Sequence, residues 1–332
     1  MNIRNTRELK RFAAERLENA RDVKRILLVY VGLILGLAAL TTVSTYVLDL
    51  QVDRFGGLRH LSTRKILSSV QSMLPMAQSL LNMLLNVGLL SAMMRIARGQ
   101  YVSVNSLRMG MDRFWVLLRC SLIKGLLYSA VVGIGVYIGI MLFMITPLSD
   151  SAVELLQPYL SETSLLNSQV VLDDAAYAAF SDMMWPAYLI CGAVIAGIGL
   201  PMLYSYRMVN YVIIDKPALG AMAALRESKQ MMRGNRFAMF KLDLSMWWYY
   251  LALAAAYLIC YGDMVLPMVG IQLPWNETVS YFVFFFVYLA VSFGIYYTML
   301  SRVEVTYALA YDAVKPEEKK DTGVVLGNIF QM

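Results

Sequence analysis

Apolar windows near residues 26–48, 66–94, 121–146, 185–213, 244–262 and 278–301 carry almost no charge, and most exceed 18 residues. A helix needs about 20 such residues to cross a hydrocarbon core of about 30 Å. A water-soluble domain has no interior large enough for six of them. Composition agrees: 59% of the 332 residues are hydrophobic and 16% charged, against roughly 25% charged in soluble domains, and the mean hydropathy is +0.57. These features predict an all-α polytopic membrane bundle of about six transmembrane helices. The second window carries Pro75 and a line of polar groups, and is expected to be kinked or broken.

Eight Lys/Arg residues up to Arg25 precede the first window. A secretory signal core is shorter, roughly 7–15 residues, and no small-residue cleavage site follows, so this span is read as retained. Asn5 and Glu8 have capping-box spacing. Leu9, Phe12, Ala13, Leu17 and Ala20 then form one apolar stripe, predicting an amphipathic basic helix within 1–25 with that stripe in the headgroup boundary. A solvated charged helix is the alternative.

Basic residues cluster in four segments: eight up to Arg25, six over 95–124, seven over 207–241 and four from Arg302, 25 of the 29 in the chain. With six spans all four fall on one side, which the positive-inside rule makes cytoplasmic, together with both termini and a tail at 302–332. The external loop 148–184 then has six carboxylates (Asp150, Glu154, Glu162, Asp173, Asp174 and Asp182) and no Lys or Arg; it reads as a solvated acidic loop. The connection Gln51–Lys65 resists the rule with Arg54, Arg59, Arg64 and Lys65.

The stretch from Asp215 to Tyr257 joins a basic amphipathic helix over 217–234 to a span opened by Trp247 and Trp248. Met111-Asp112-Arg113-Phe114 precedes the third span as Gly234-Asn235-Arg236-Phe237 precedes the fifth, and Ala20-Arg21-Asp22-Val23 is a weaker copy. The pattern is an internal repeat of roughly 100 residues, each surface helix leading a two-span hairpin. Arg226, Lys229 and Arg233 share one helical face, with Ala221, Ala224, Leu225, Met231 and Met232 on an adjacent one. Arg236 joins them only if the helix continues past Gly234. Three or four such cations attract anionic lipid at about 1 kcal/mol each; ordinary topogenic charge is the alternative reading.

Ala223 to Lys229, Met231 to Arg236, Phe240 to Ser245 and Trp247-Trp248 resemble the core signature of an uncharacterised family of Gram-positive integral membrane proteins, domain of unknown function 975. That family is similar to the membrane domain attached to some glycerophosphodiester phosphodiesterases. Leu203 to Arg207, Tyr211 to Ile213 and Asp215-Lys216-Pro217 fit the same pattern, as do Asn86-Val87-Gly88 and Ile96-Ala97-Arg98-Gly99-Gln100. The resemblance covers about Asn86 to Tyr311. The loop 148–184 is longer than the pattern, and Met246 replaces an aromatic residue. The resemblance implies a six-helix bacterial cell-membrane protein and no activity.

The only histidine is His60, and no H-E-x-x-H, G-x-S-x-G or phosphate-cradling loop appears. No catalytic residue, cofactor or metal site is assigned, and an enzyme is not expected; an intramembrane transferase built on scattered Asp and Arg is a remote alternative. Cys120, Cys191 and Cys260 read as apolar fillers. Gln71, Gln78, Asn82 and Asn86 line one face of the second span, either as interhelical hydrogen-bonding groups or as a transport path. Arg207 and Asp243 end and begin consecutive spans and are candidates for an ion pair. Gly32-x-x-x-Gly36 and Gly135-x-x-x-Gly139 are notches for close helix approach, within one chain or in a homo-oligomer. The reading is therefore a non-catalytic membrane protein in envelope homeostasis that binds anionic lipid headgroups or a membrane or cytoplasmic partner protein, and no nucleic acid. A small-molecule or lipid transporter is the main alternative.

Overall fold

A computed structural model describes residues 3, 5–20, 22–54, 61–156, 174–268, 270–271 and 274–315. His60, Arg59, Glu162 and Asp173 lie outside the described residues, as does most of the tail. All regular structure in the described residues is helical. Five helices are long and apolar enough to cross a membrane, six if one bent pair is counted as a span. The chain divides into two compact units, Met1–Leu117 with Met208–Met332, and Leu118–Arg207.

In the first unit, α1 (Thr6–Glu18) starts at the expected cap: Asn5 Oδ1 accepts the Glu8 N–H at 3.3 Å, and Asn5 Nδ2 donates to the Glu8 carboxylate at 3.0 Å. Its apolar stripe departs from expectation. Leu9 and Ala13 are buried within the protein, not offered to lipid, because the helix packs against later parts of the chain.

Next come α2 (Val23–Arg54) and α3 (Leu61–Ala97), which pack against each other as a hairpin. In α2 the Thr41 and Thr45 hydroxyls donate to the Leu37 and Thr41 carbonyls, which satisfies them inside their own apolar helix. Pro75 does not break α3, which is assigned as one continuous helix through that position. A Val104–Arg108 3-10 turn and the single turn α4 (Met109–Asp112) follow, and α5 (Phe114–Met144) starts at once.

The second unit contains most of α5, then α6 (Pro147–Leu156) and α7 (Asp174–Ser205). Residues 174–184, expected in the acidic loop, are the first turns of α7. A Cβ on Gly135 would meet Ile195, and one on Gly139 would lie 2.3 Å from Cys191 Sγ, so this notch seats α7 against α5. The Gly32/Gly36 notch in α2 has nothing within 4 Å.

Returning to the first unit, α8 (Val209–Asp215), α9 (Ala221–Met231), α10 (Arg236–Ser245), α11 (Trp247–Cys260) and α12 (Gly262–Met268) precede α13 (Glu277–Ile295). The expected span 185–213 matches an apolar stretch, Met184–Asp215, long enough to cross a membrane, with a turn at 206–208 between α7 and α8. A π-helical turn, Tyr296–Leu300, joins α13 to α14 (Ser301–Val314). Residues after 302 were expected to form a tail. Instead α14 is the most enclosed helix of the unit: Val305, Ala308, Ala310 and Tyr311 are inaccessible, packed on α1 and α3.

Candidate functional site

The basic face survives as an exposed surface. In α9, Ala224, Leu225, Ser228 and Met231 are buried, while Arg226 and Lys229 are exposed; Arg233, also exposed, lies in the turn just past the helix. Lys216 Nζ pairs with Glu227 at 2.7 Å, tying the helix to the chain before it. The helix ends at Met231, and in the turn that follows Gly234 sits at φ +88°, a left-handed conformation that costs glycine little. Arg236 therefore does not extend the face of α9. It opens α10, half-buried, with Nε lacking a hydrogen-bond partner among the described residues.

The basic helix does not feed directly into a span. An intermediate helix, α10, intervenes and meets α11 at a 61° bend. Phe237, Phe240, Leu244, Trp247 and Trp248 are exposed along it, and the Lys241 ammonium sits 4.9 Å from the Phe237 ring centre. The Met111–Phe114 copy is simpler, one helical turn and then the span, so the repeat differs in its geometry.

Asp243 accepts the Tyr307 hydroxyl at 2.6 Å, and Tyr307 contacts the Tyr250 hydroxyl at 2.7 Å. The Arg207 guanidinium lies over the Tyr204 ring, 5.7 Å from its centre. Tyr307 is buried and comes from α14, a helix that sequence reading assigned to the tail.

The polar row of α3 divides by environment. Gln71 Nε2 reaches Asp49 of α2 at 3.4 Å, Gln78 is half-buried and Asn86 is exposed. Asn82 Oδ1 is buried without a partner among the described residues.

Residues that sequence reading did not select form the densest charge cluster. Arg98, just past α3, holds Asp215 through Nη1 at 2.8 Å, and Asp312 through Nη2 at 2.6 Å and Nε at 3.2 Å. Lys315 Nζ lies 2.7 Å from the other Asp215 oxygen, which also accepts the Tyr311 hydroxyl at 3.1 Å. The Tyr211 ring stacks on Tyr311, and its hydroxyl donates to Glu304 at 3.4 Å. Hydrogen bonds donated to Asp312 and Asp215 raise the Arg98 guanidinium above its already high value, so it is a permanent cation. Arg113 Nη1 donates to the Pro217 carbonyl at 2.7 Å, bracing the α8–α9 connection. The cluster holds two cations and two carboxylates, so it compensates itself and joins three helix ends. Arg98 and Asp215 stand in two of the motif segments noted above, a signal that they share a place; nothing local marks Asp312.

Among the described residues no group of three or more His, Cys, Asp or Glu side chains is placed to hold a metal ion. Thus the first unit offers an exposed cationic helix followed by the exposed aromatic residues of α10 and of the start of α11, braced by a neutral ion cluster. No curated protein and no solved structure matches the chain. The family model described as protein of unknown function (DUF975) matches residues 1–311, and the chain belongs to that family.

Proposed function

We propose that this is a multi-pass cell-membrane protein with both termini cytoplasmic, which catalyses no reaction and binds anionic lipid headgroups in support of envelope homeostasis. One observation carries the reading: the exposed Arg226, Lys229 and Arg233 face lies one glycine hinge from the exposed Phe237, Phe240, Trp247 and Trp248. Aromatic rings favour the headgroup level of a bilayer, and cations nearby meet lipid phosphates. The contacts of α1 with α14 support a common side for the two ends of the chain.

The test measures phosphatidylglycerol binding by the purified protein at low and high salt. Replacing Arg226, Lys229 and Arg233 by Gln should remove most of the salt-sensitive binding, since exposed charges are screened. Undiminished binding by the triple variant would refute the reading. Retention of a protein partner that the same variant releases would transfer the face to protein recognition.

The Asn82 amide oxygen, buried without a partner among the described residues, favours a second reading, passage of a solute or lipid along α3. Gln78→Leu with Asn82→Leu discriminates: a transporter loses flux while staying folded, and a headgroup binder is unaffected.

A further inference from the structure

Two irregularities of the first unit, the bend between α10 and α11 and the π-helical turn, meet α1 at one cavity of about 400 Å³. Short π-helical turns recur at functional sites, and irregular backbone at membrane depth is tolerated where it is buried in protein or lines a cavity. The lining brings Lys10 and Ala14 from α1, Ser245, Met246, Trp248 and Tyr249 from the bend, and Thr298, Met299, Arg302, Val303 and Thr306 from the turn and α14.

Both charged lining groups are cations, and no carboxylate lines the cavity. Lys10 is fixed there because Nζ donates to the Ser245 carbonyl at the bend. It keeps two further N–H donors for a ligand. Burial lowers the pKa of this ammonium, a desolvation cost that a bound anion would offset. Arg302 is exposed and has no ion pair among the described residues. The 14-residue α11 begins at the cavity, and the positive end of its dipole also favours negative charge. Met246, Trp248, Tyr249, Met299 and Val303 supply apolar wall. A small hydrated anion leaves that wall wet, whereas a phosphate carrying hydrocarbon covers it. The volume falls within the usual range of about 300–1,000 Å³ for ligand pockets.

We propose that this cavity seats the phosphate of one anionic membrane lipid, held by Lys10 and Arg302, with the glycerol and first methylenes against Met246, Trp248, Tyr249 and Met299. This site is separate from the α9 face and stands without it.

Native mass spectrometry of the delipidated protein, titrated with phosphatidylglycerol and washed at high salt, tests the site. One lipid should remain bound. Lys10→Gln and Arg302→Gln should each weaken it about tenfold, the loss of one charge-assisted hydrogen bond. Lys10→Arg should largely restore binding. Ala14→Trp removes no charge and fills the cavity, so it should expel the lipid from a protein that still elutes as a single folded species. The Arg226, Lys229 and Arg233 triple variant should retain it. Equal retention in Lys10→Gln, Arg302→Gln and Ala14→Trp would overturn the site. Inorganic phosphate binding as tightly as the lipid would overturn the lipid assignment in favour of a soluble anion.

Discussion

At the scale of single residues, Arg98 has the most to hold. Asp215 and Asp312 both stand near helix C-termini, where the helix dipole opposes negative charge. The guanidinium that bridges them reverses that penalty: it meets Asp312 through two nitrogens and Asp215 through a third. Asp215 is 9% exposed and Arg98 30%, so water screens the pair only in part. Arg98→Gln is therefore expected to lower stability by about 2–3 kcal/mol, somewhat less than a fully buried pair. The check is a thermal melt in detergent micelles. Adding Asp312→Asn should recover part of the loss, because one unpaired carboxylate is removed with its cation. Equal Tm values for wild type and Arg98→Gln would mean the cluster is solvated decoration.

At the scale of elements, close approach depends on particular glycines. A Cβ on Gly88 of α3 would lie 2.1 Å from the Leu107 carbonyl oxygen, and one on Gly110 of α4 2.0 Å from that of Leu84. Backbone meets backbone at both positions, so neither tolerates a side chain. In the second unit a Cβ on Gly139 of α5 would lie 2.3 Å from Cys191 Sγ and 2.7 Å from Cys191 Cα of α7. Gly139→Ala is expected to destabilise by about 1–3 kcal/mol through overpacking. Gly36→Ala, in open space, should leave the melt unchanged or raise it by up to about 1 kcal/mol. Paired melts of the two variants decide this. A fall in oligomeric mass with Gly36→Ala would assign that notch to contacts between copies. The two notches have the same spacing in sequence; only the packing of α7 distinguishes them.

At the scale of the whole molecule, the charge asymmetry and the α1–α14 contact make one prediction about sidedness. Single cysteines placed at Gln230 and Lys315, in a cysteine-free background, should react with a membrane-impermeant maleimide only after the cells are opened. One at Glu154 should react in intact cells. Labelling of Lys315 from outside would remove the common-side topology.

How far this fold was legible depends on the range of the forces involved. Apolar length and helical periodicity are local, so the long helices, the cap at Asn5 and the exposed cations of α9 could be read from neighbouring residues. The same local rule misread α1 and α14. An amphipathic stripe such as Leu9 and Ala13 shows that a helix has an apolar partner, but not whether that partner is lipid or protein. Residues 301–314, with Arg302, Glu304 and Asp312 among them, resembled a tail because only their packing against α1 and α3 makes their burial visible. The α10–α11 bend was hidden because Ser245-Met246 carries no proline or glycine to announce it.

The sequence by itself determined an apolar helical chain with positive charge gathered between its helices, since hydrophobic length and charge act residue by residue. Only the tertiary structure decided which ends meet. Arg98 with Asp215 and Asp312, and Lys10 with Arg302, are separated by more than a hundred residues in the chain, and the packing of α8 on α3 and of α14 on α1 and α3 brings each set together.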